Sequence, residues 1–159
     1  MILKKRKVKV KFNIVGDGRN KKNLKDQINE KKVEEYFNLV SWQPAISIPK
    51  ILASSNAAFL SFSNNKIFSM TIPAKLQSYM ACGIPVIGSV SGESEKIINE
   101  AYCGLTCSIG NTTALAEIII KFIQLSNYEK RQMAINAIAY SKLHFNKKNL
   151  MDFIDNYFE

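Results

Sequence analysis

Three short stretches of the chain combine small residues with cationic or hydroxyl side chains, the types that bind an anion. They run from Gly16 to Arg19, from Ser69 to Lys75 and from Ser91 to Ser94. Glycines let backbone N–H groups approach a phosphate closely, and lysine or arginine adds positive charge. The candidate binding residues in these stretches are Gly16, Gly18, Arg19, Ser69, Thr71, Lys75, Gly92 and Glu93. Together they predict a surface for a diphosphate, the group on which negative charge grows when it leaves in a transfer reaction.

The same residues leave the catalytic group unassigned. The nearby carboxylates are Asp17, Glu93 and Glu95, and glutamates in the first turn of a helix usually interact with the helix dipole. The sequence contains no nucleophile elbow, no HExxH, no Walker A sequence and no DxD pair that would hold a divalent metal on a diphosphate. We therefore predict no metal site.

The three cysteines, Cys82, Cys103 and Cys107, form no CxxC pair, and His144 is the single histidine that could join them as a metal ligand. Buried free thiols are the interpretation that this pattern favours over metal or redox chemistry.

The elements that must position the three stretches alternate between strand and helix patterns. Such alternation predicts an α/β fold, a Rossmann-like parallel sheet with flanking helices, in which ligands bind at the carboxyl ends of strands. The predicted strands are 9–15, 36–40, 56–62, 84–89 and 104–108, and the polar segment 63–68 is predicted as a loop. The predicted helices are 21–31, 48–54, 73–82, 93–101, 111–125, 127–143 and 147–158, the last three forming a helical C-terminal part.

Three residues near predicted strand ends have a structural alternative to ligand binding. Gly16 and Gly18 do not form a GxGxxG or P-loop sequence, and strand-turn-helix junctions need glycines whatever they bind. Trp42, the only tryptophan, follows the second predicted strand, where it could stack on a nucleotide base or pack in a partly buried position.

Length and composition describe one ordinary globular domain. The chain has 159 residues, of which 47% are hydrophobic and 22% charged, and no linker or repeat divides it. We therefore predict a single domain over residues 1–159. No apolar run reaches the roughly 18 residues of a membrane span, and the N-terminus lacks a signal-peptide core, so a cytoplasmic location is the default.

The formal net charge of +9 is partly concentrated at the start of the chain. The basic residues there are Lys4, Lys5, Arg6, Lys7, Lys9 and Lys11. This cluster could be a solvated helix end and edge strand, or it could contact nucleic acid, an anionic membrane surface or a phosphorylated ligand. No zinc-finger spacing or aromatic RNA-binding motif supports nucleic acid, and we predict no such partner.

Three segments together resemble the donor half of family 4 glycosyltransferases, enzymes of the GT-B fold. They are VGDG at 15–18, the run PAKLQSYMACGIPVI from Pro73, and GESEKIINEAYCGL from Gly92. The resemblance extends from about Val10 to the C-terminal helices. It is closest to the bacterial branch that builds O-antigen, capsule and colanic-acid-like polysaccharides, including N-acetyl-fucosamine transferases.

The resemblance implies transfer of a sugar from a nucleotide-diphosphate donor, usually UDP-linked, with retention at the anomeric carbon and without a metal or cofactor. Gly16 and Gly18 would line the diphosphate cleft, and the loop after Val40 would border the base. The backbone ahead of the helix at Pro73 would meet the diphosphate or the sugar.

The chain departs from the family pattern at two positions. Family members commonly carry two glutamates eight positions apart, the second of which binds the ribose, and these positions are Met70 and Ser78 here. Ser78 can still hydrogen-bond a ribose hydroxyl, but more weakly than a carboxylate.

Family enzymes also precede this region with a strand and loop that carry cationic residues, and with an N-terminal acceptor domain. We expect both to lie outside this chain, which would then be inactive alone and would need that domain in cis or in trans. Acceptors in the family are lipid-linked, which would place the enzyme at the inner face of the plasma membrane.

Two other function classes stay open. The chain could be a non-catalytic remnant or binding module that keeps the fold and has lost donor binding. A flavodoxin-like or receiver-like signalling domain would need an acidic phospho-acceptor pocket, for which only Asp17 is available.

Overall fold

The computed structural model describes residues 2–63, 65–146, 151 and 155. The chain forms two compact units, Met1–Ile48 and Pro49–Glu159, here called the N-terminal unit and the C-terminal unit.

The N-terminal unit is built on a pair of parallel strands. Its elements are helix α1 (Ile2–Lys5), strand β1 (Phe12–Val15), helix α2 (Lys21–Glu30), a 3-10 turn (Glu34–Tyr36), strand β2 (Phe37–Val40) and a second 3-10 turn (Ala45–Ser47). The strands pair in register from Phe12 opposite Phe37 to Val15 opposite Val40. Parallel neighbours need a crossover connection, and α2 supplies it.

Both helices of this unit end in a Schellman motif with lysine in the left-handed position. After α1, the Val8 N–H donates to Leu3 O and the Lys7 N–H to Lys4 O, both at 3.0 Å, with Lys7 at φ 56°. After α2, Lys32 takes the same place at φ 50°. The Lys4 ammonium donates to Lys32 O, so the two helix C-termini lie together at the amino end of the strands.

The C-terminal unit holds a three-stranded parallel sheet in the order β3-β4-β5. Its strands are β3 (Ala58–Ser61), β4 (Val86–Ser89) and β5 (Gly104–Cys107). Its helices are α3 (Ile48–Ala53, beginning one residue earlier), α4 (Lys66–Ser69), α5 (Ala74–Ala81), α6 (Glu93–Glu100), α7 (Thr112–Gln124) and α8 (Asn127–His144). The central strand β4 is buried at all four residues, as a parallel strand covered on both faces should be.

The core of this unit lies between the sheet and the helices. Its buried residues are Leu60, Leu76, Met80, Val86, Val90, Ile97, Ile98, Ala101, Cys103 and Ala137. Helix α5 packs on α8, and α6 and α7 pack on β5.

Helix ends in this unit follow the capping signals in the sequence. The Asn111 side chain accepts the Ala114 N–H at 2.9 Å at the start of α7. Ser126 and Glu129 form a reciprocal capping box at the start of α8. Gly83, at φ 64°, occupies the left-handed position beyond the end of α5.

The predicted α/β class with parallel strands and flanking helices is confirmed, with each strand shorter than predicted. Two local predictions are wrong. Residues 66–68 are not loop but belong to α4, because Asn65 caps a single helical turn by accepting the Ile67 N–H at 2.9 Å. Cys82 is exposed, because it sits at the C-cap of α5, whereas Cys103 and Cys107 are buried. The predicted helix 147–158 lies outside the described residues, apart from 151 and 155.

Among the helices that the structure describes, none has the length and apolar character needed to cross a bilayer.

Candidate functional site

In the N-terminal unit, the predicted binding turn lies between the carboxyl end of β1 and the start of α2. The Gly16 N–H donates to Val40 O at 3.0 Å, and Gly16 has φ 135°, a conformation that residues with a side chain rarely adopt. The turn borders a groove of about 420 Å³ whose lining includes Gly16, Gly18, Asn20 and Lys21. Gly18 and Arg19 are exposed, so this turn presents backbone and a cationic side chain at the edge where parallel-sheet proteins bind ligands.

Asp17 ties this turn to the loop after β2. Its carboxylate accepts a hydrogen bond from the Lys21 ammonium. It also accepts one from the backbone N–H of Trp42, with 2.5 Å between nitrogen and oxygen. The hydrogen bond from Lys21, followed by that from Trp42, lowers the pKa of Asp17 below its ordinary value. Asp17 therefore positions the loop of Trp42 beside the glycine turn, a role that the sequence analysis missed although the i, i+4 spacing of Asp17 and Lys21 was readable.

The indole of Trp42 is 66% exposed. A tryptophan that packs inside a protein is largely covered, so the packing interpretation does not fit the described residues, and stacking on a base stays a prediction. Gly16, Gly18, Arg19 and Trp42 thus belong to one end of the N-terminal unit.

In the C-terminal unit, Gly92 brings two of the predicted stretches into contact. It precedes α6 at φ 67°, and a Cβ built on it would lie 2.0 Å from the carbonyl oxygen of Ser69. Real Cβ atoms do not approach backbone so closely, so no residue with a side chain fits here without displacing the loop. The chain around Ser69 is therefore held against the start of α6.

The first turn of α6 offers backbone N–H groups with no acceptor inside the helix. Glu93 is exposed at its first position. Ser94 is fully buried, and its Oγ has no hydrogen-bond partner among the described residues. A buried hydroxyl without a partner costs free energy, and such groups recur at functional sites.

The remaining predicted residues lie on α5 and the loop before it. Lys75 is exposed in the first turn of α5, and Pro73 takes the N-cap position just before the helix. The hydroxyl of Ser78 is exposed and donates to Ala74 O at 2.9 Å, which leaves its lone pairs to accept a hydrogen bond. Met70 is 79% exposed. The Thr71 hydroxyl reaches Phe68 O at 3.5 Å.

The structure thus brings Ser69 close to Gly92 and Glu93 within the C-terminal unit. Lys75 and Ser78 lie on α5, the helix that follows Ser69 in the sequence. In the parts of the chain described here, no three His, Cys, Asp or Glu side chains cluster as metal ligands do. Burial raises the pKa of the Cys103 thiol to about 11 and also raises that of Cys107, so both thiols stay protonated at neutral pH.

The parallel strands and the turns at their carboxyl ends define the class of protein as an α/β fold of the kind that binds ligands at this edge of the sheet. The model of the family "Glycosyl transferases group 1" matches residues 1–140, and the chain belongs to this family. The resemblance drawn from the sequence is confirmed at this level. A curated relative, N-acetyl-alpha-D-glucosaminyl L-malate synthase of Bacillus anthracis, is 26% identical over 117 residues, covering 74% of this chain and 29% of the relative.

Several solved structures share the fold. HepE of Anabaena, solved in complex with UDP, has a TM-score of 0.79 at 20% identity and covers 94% of this chain. TarM of S. aureus, solved as a variant with fondaparinux, alpha-GlcNAc-glycerol and UDP, has a TM-score of 0.76 at 16% identity and covers 99%. WaaG, a glycosyltransferase involved in lipopolysaccharide biosynthesis, has a TM-score of 0.65 at 16% identity and covers 83%. The chain spans 40%, 30% and 34% of those three proteins, respectively.

Proposed function

We propose that this chain is the donor-binding part of a glycosyltransferase and binds a UDP-linked sugar. The observation that carries the proposal is the placement of the glycine turns. Gly16 lies between β1 and α2, and Gly92 lies between β4 and α6, so each turn combines a strand carboxyl end with a helix start. That combination suits a diphosphate because the free N–H groups and the helix dipole both favour negative charge.

We propose roles for the candidate residues of each unit by itself. In the N-terminal unit, Arg19 supplies charge and Trp42 stacks on the base. In the C-terminal unit, the backbone from Ser69 to Lys75 and the first turn of α6, with Thr71 and Glu93, contact the diphosphate or the sugar. Ser78 accepts a hydrogen bond from a ribose hydroxyl.

The reaction itself is proposed for the complete glycosyltransferase and not for this chain alone. Transfer would proceed with retention at the anomeric carbon, without a metal or cofactor, onto an acceptor held by a separate domain. Synthesis of a bacterial surface polysaccharide is the role that the quoted sequence runs favour. The alternative is a binding module that keeps the fold without binding the donor, since Met70 and Ser78 stand where acidic residues are usual.

Calorimetric titration of the chain with UDP and UDP-glucose separates these two functions. We expect saturable binding, and we expect Trp42→Ala to weaken it by roughly 5- to 150-fold, because stacking a base on an aromatic ring contributes about 1–3 kcal/mol. Trp42 is largely exposed, so its removal should leave the thermal unfolding temperature nearly unchanged.

A second variant tests the C-terminal unit. Gly92→Ala should reduce UDP binding because its Cβ would displace the loop at Ser69. Gly110→Ala is the matched control, since Gly110 also has positive φ, 78°, but open space where a Cβ would stand. No heat at millimolar UDP would favour the module that has lost donor binding.

A further inference from the structure

The amino end of β1 carries a basic groove that the proposed donor site does not use. The groove has a volume of about 680 Å³ and is lined by Lys4, Lys7, Val8, Lys9, Val10, Lys11, Glu35 and Tyr36. Four lysines and one glutamate therefore line the groove, and the Lys4 ammonium donates to Lys32 O. Lys7, Lys9 and Lys11 are exposed, and none of the three has an ion pair within the described ranges.

Lysine and valine alternate along residues 7–11, and the two residue types differ in exposure. Lys7, Lys9 and Lys11 are exposed, while Val8 and Val10 between them are partly buried. Long lysine stems can lie on apolar surface while their ammonium groups reach outward, and tyrosine suits the boundary between apolar and polar surroundings. Val8 and Val10 thus pack partly against the protein, and the three lysines are left on its outer surface.

The backbone around the groove disfavours a single bound phosphate. Helices α1 and α2 both end here, and helix C-termini present carbonyl oxygens and the negative end of the dipole. An enclosed phosphate needs converging N–H donors, which a helix C-terminus does not offer. Flexible exposed lysines act as separate point charges, which suits an extended layer of phosphate groups.

We propose that this groove and its lysines form a contact site for the anionic phosphates of a phospholipid bilayer. The site lies at the end of β1 opposite to the Gly16 turn, so the N-terminal unit would contact lipid at one end and the donor at the other. The inference depends on the charges and the groove alone and does not require the proposed donor binding.

Co-sedimentation of the chain with vesicles tests the proposal. At 0.1 M salt, we expect retention on vesicles with about a third phosphatidylglycerol and none on pure phosphatidylcholine. Each lysine near an anionic surface changes the partition coefficient roughly fivefold, so changing Lys7, Lys9 and Lys11 together to Gln should lower it by on the order of a hundredfold. Salt at about 1 M should also release the protein, because the Debye length falls to about 3 Å.

The matched control changes Lys22, Lys25 and Lys121 to Gln, which are exposed lysines elsewhere, and removes the same net charge. Equal loss in both triple variants would overturn the proposal, because net charge alone would then explain retention. Loss of retention in about 10 mM inorganic phosphate at constant ionic strength would also overturn it, because it would indicate a discrete small-anion site. Equal retention on neutral and on anionic vesicles would also overturn the proposal, because the phosphate charges would then not be responsible for binding.

Discussion

Among the residues that the structure describes, three with large side chains occupy the left-handed position after a helix, where glycine is usual. They are Lys7, Lys32 and Tyr102, at φ 56°, 50° and 48°. The left-handed conformation costs a residue with a Cβ roughly 1–2 kcal/mol, and the Schellman hydrogen bonds around each one hold it there. Tyr102 is also 77% exposed, so its ring contributes little packing to offset this cost.

We expect Tyr102→Gly to raise the free energy of unfolding by about 1 kcal/mol, because glycine adopts this conformation without the steric penalty. Urea denaturation measures the change. Tyr102→Ala keeps the strained conformation and is the matched control, with no expected gain. A gain of the same size in the alanine variant would show that loss of the ring, not relief of the backbone, is responsible.

A second residue-level prediction concerns Ser78, which replaces the ribose-binding glutamate expected from the family resemblance. Its side chain is exposed on α5, so a longer residue can be accommodated. If UDP binds here, Ser78→Glu should tighten its binding by on the order of tenfold, because a carboxylate accepts hydroxyl hydrogen bonds about twice as strongly as a neutral group. Ser78→Gln has a similar shape without the charge and should gain less. Calorimetry with UDP that finds no difference between the two variants would contradict the assignment.

At the scale of elements, one carboxylate joins two loops of the N-terminal unit. The pKa of Asp17 is lowered by Lys21 and by the Trp42 N–H, so its folded-state pKa lies below its unfolded value. Its contribution to stability is therefore complete above the unfolded pKa, near 4, and is lost as the pH falls through the folded pKa. Between the two values the unfolded state binds more protons, so stability rises with pH.

We therefore expect Asp17→Asn to reduce stability at pH 7 and to make little difference at the lowest pH at which the protein stays folded. Denaturation curves of both proteins between pH 2.5 and 7 measure this convergence. Asp26→Asn, at an exposed position of α2, removes the same charge and is the matched control. Parallel curves for wild type and Asp17→Asn across the whole range would contradict the role given to Asp17.

Sequence patterns located the five strands that the structure describes, because short apolar runs bounded by glycine, proline or polar residues differ clearly from the helical spacing of α7 and α8. Helix α4 was missed because four residues are too few to show a periodicity. Its one readable signal was Asn65, a residue type that often caps a helix.

At the scale of the whole molecule, the family and the α/β class were predictable, whereas the neighbours within the site were not. The contact between Gly92 and Ser69 joins residues 23 positions apart, and the hydrogen bond between Asp17 and Trp42 joins residues 25 apart. The local sequence pattern around each residue does not indicate contacts between residues so far apart in the chain. It also does not distinguish one sheet from two, and the described strands form a pair, β1 with β2, and a triplet, β3 to β5.

The different surroundings of the three cysteines make the protein easy to label. Cys103 and Cys107 are buried, and Cys103 has a pKa of about 11, so neither offers an accessible thiolate at neutral pH. Cys82 is exposed at the end of α5, one helical turn after Ser78. A maleimide fluorophore should therefore attach at this single position in the native protein, without any engineered cysteine. Its emission would report on the surroundings of α5 as a nucleotide is added.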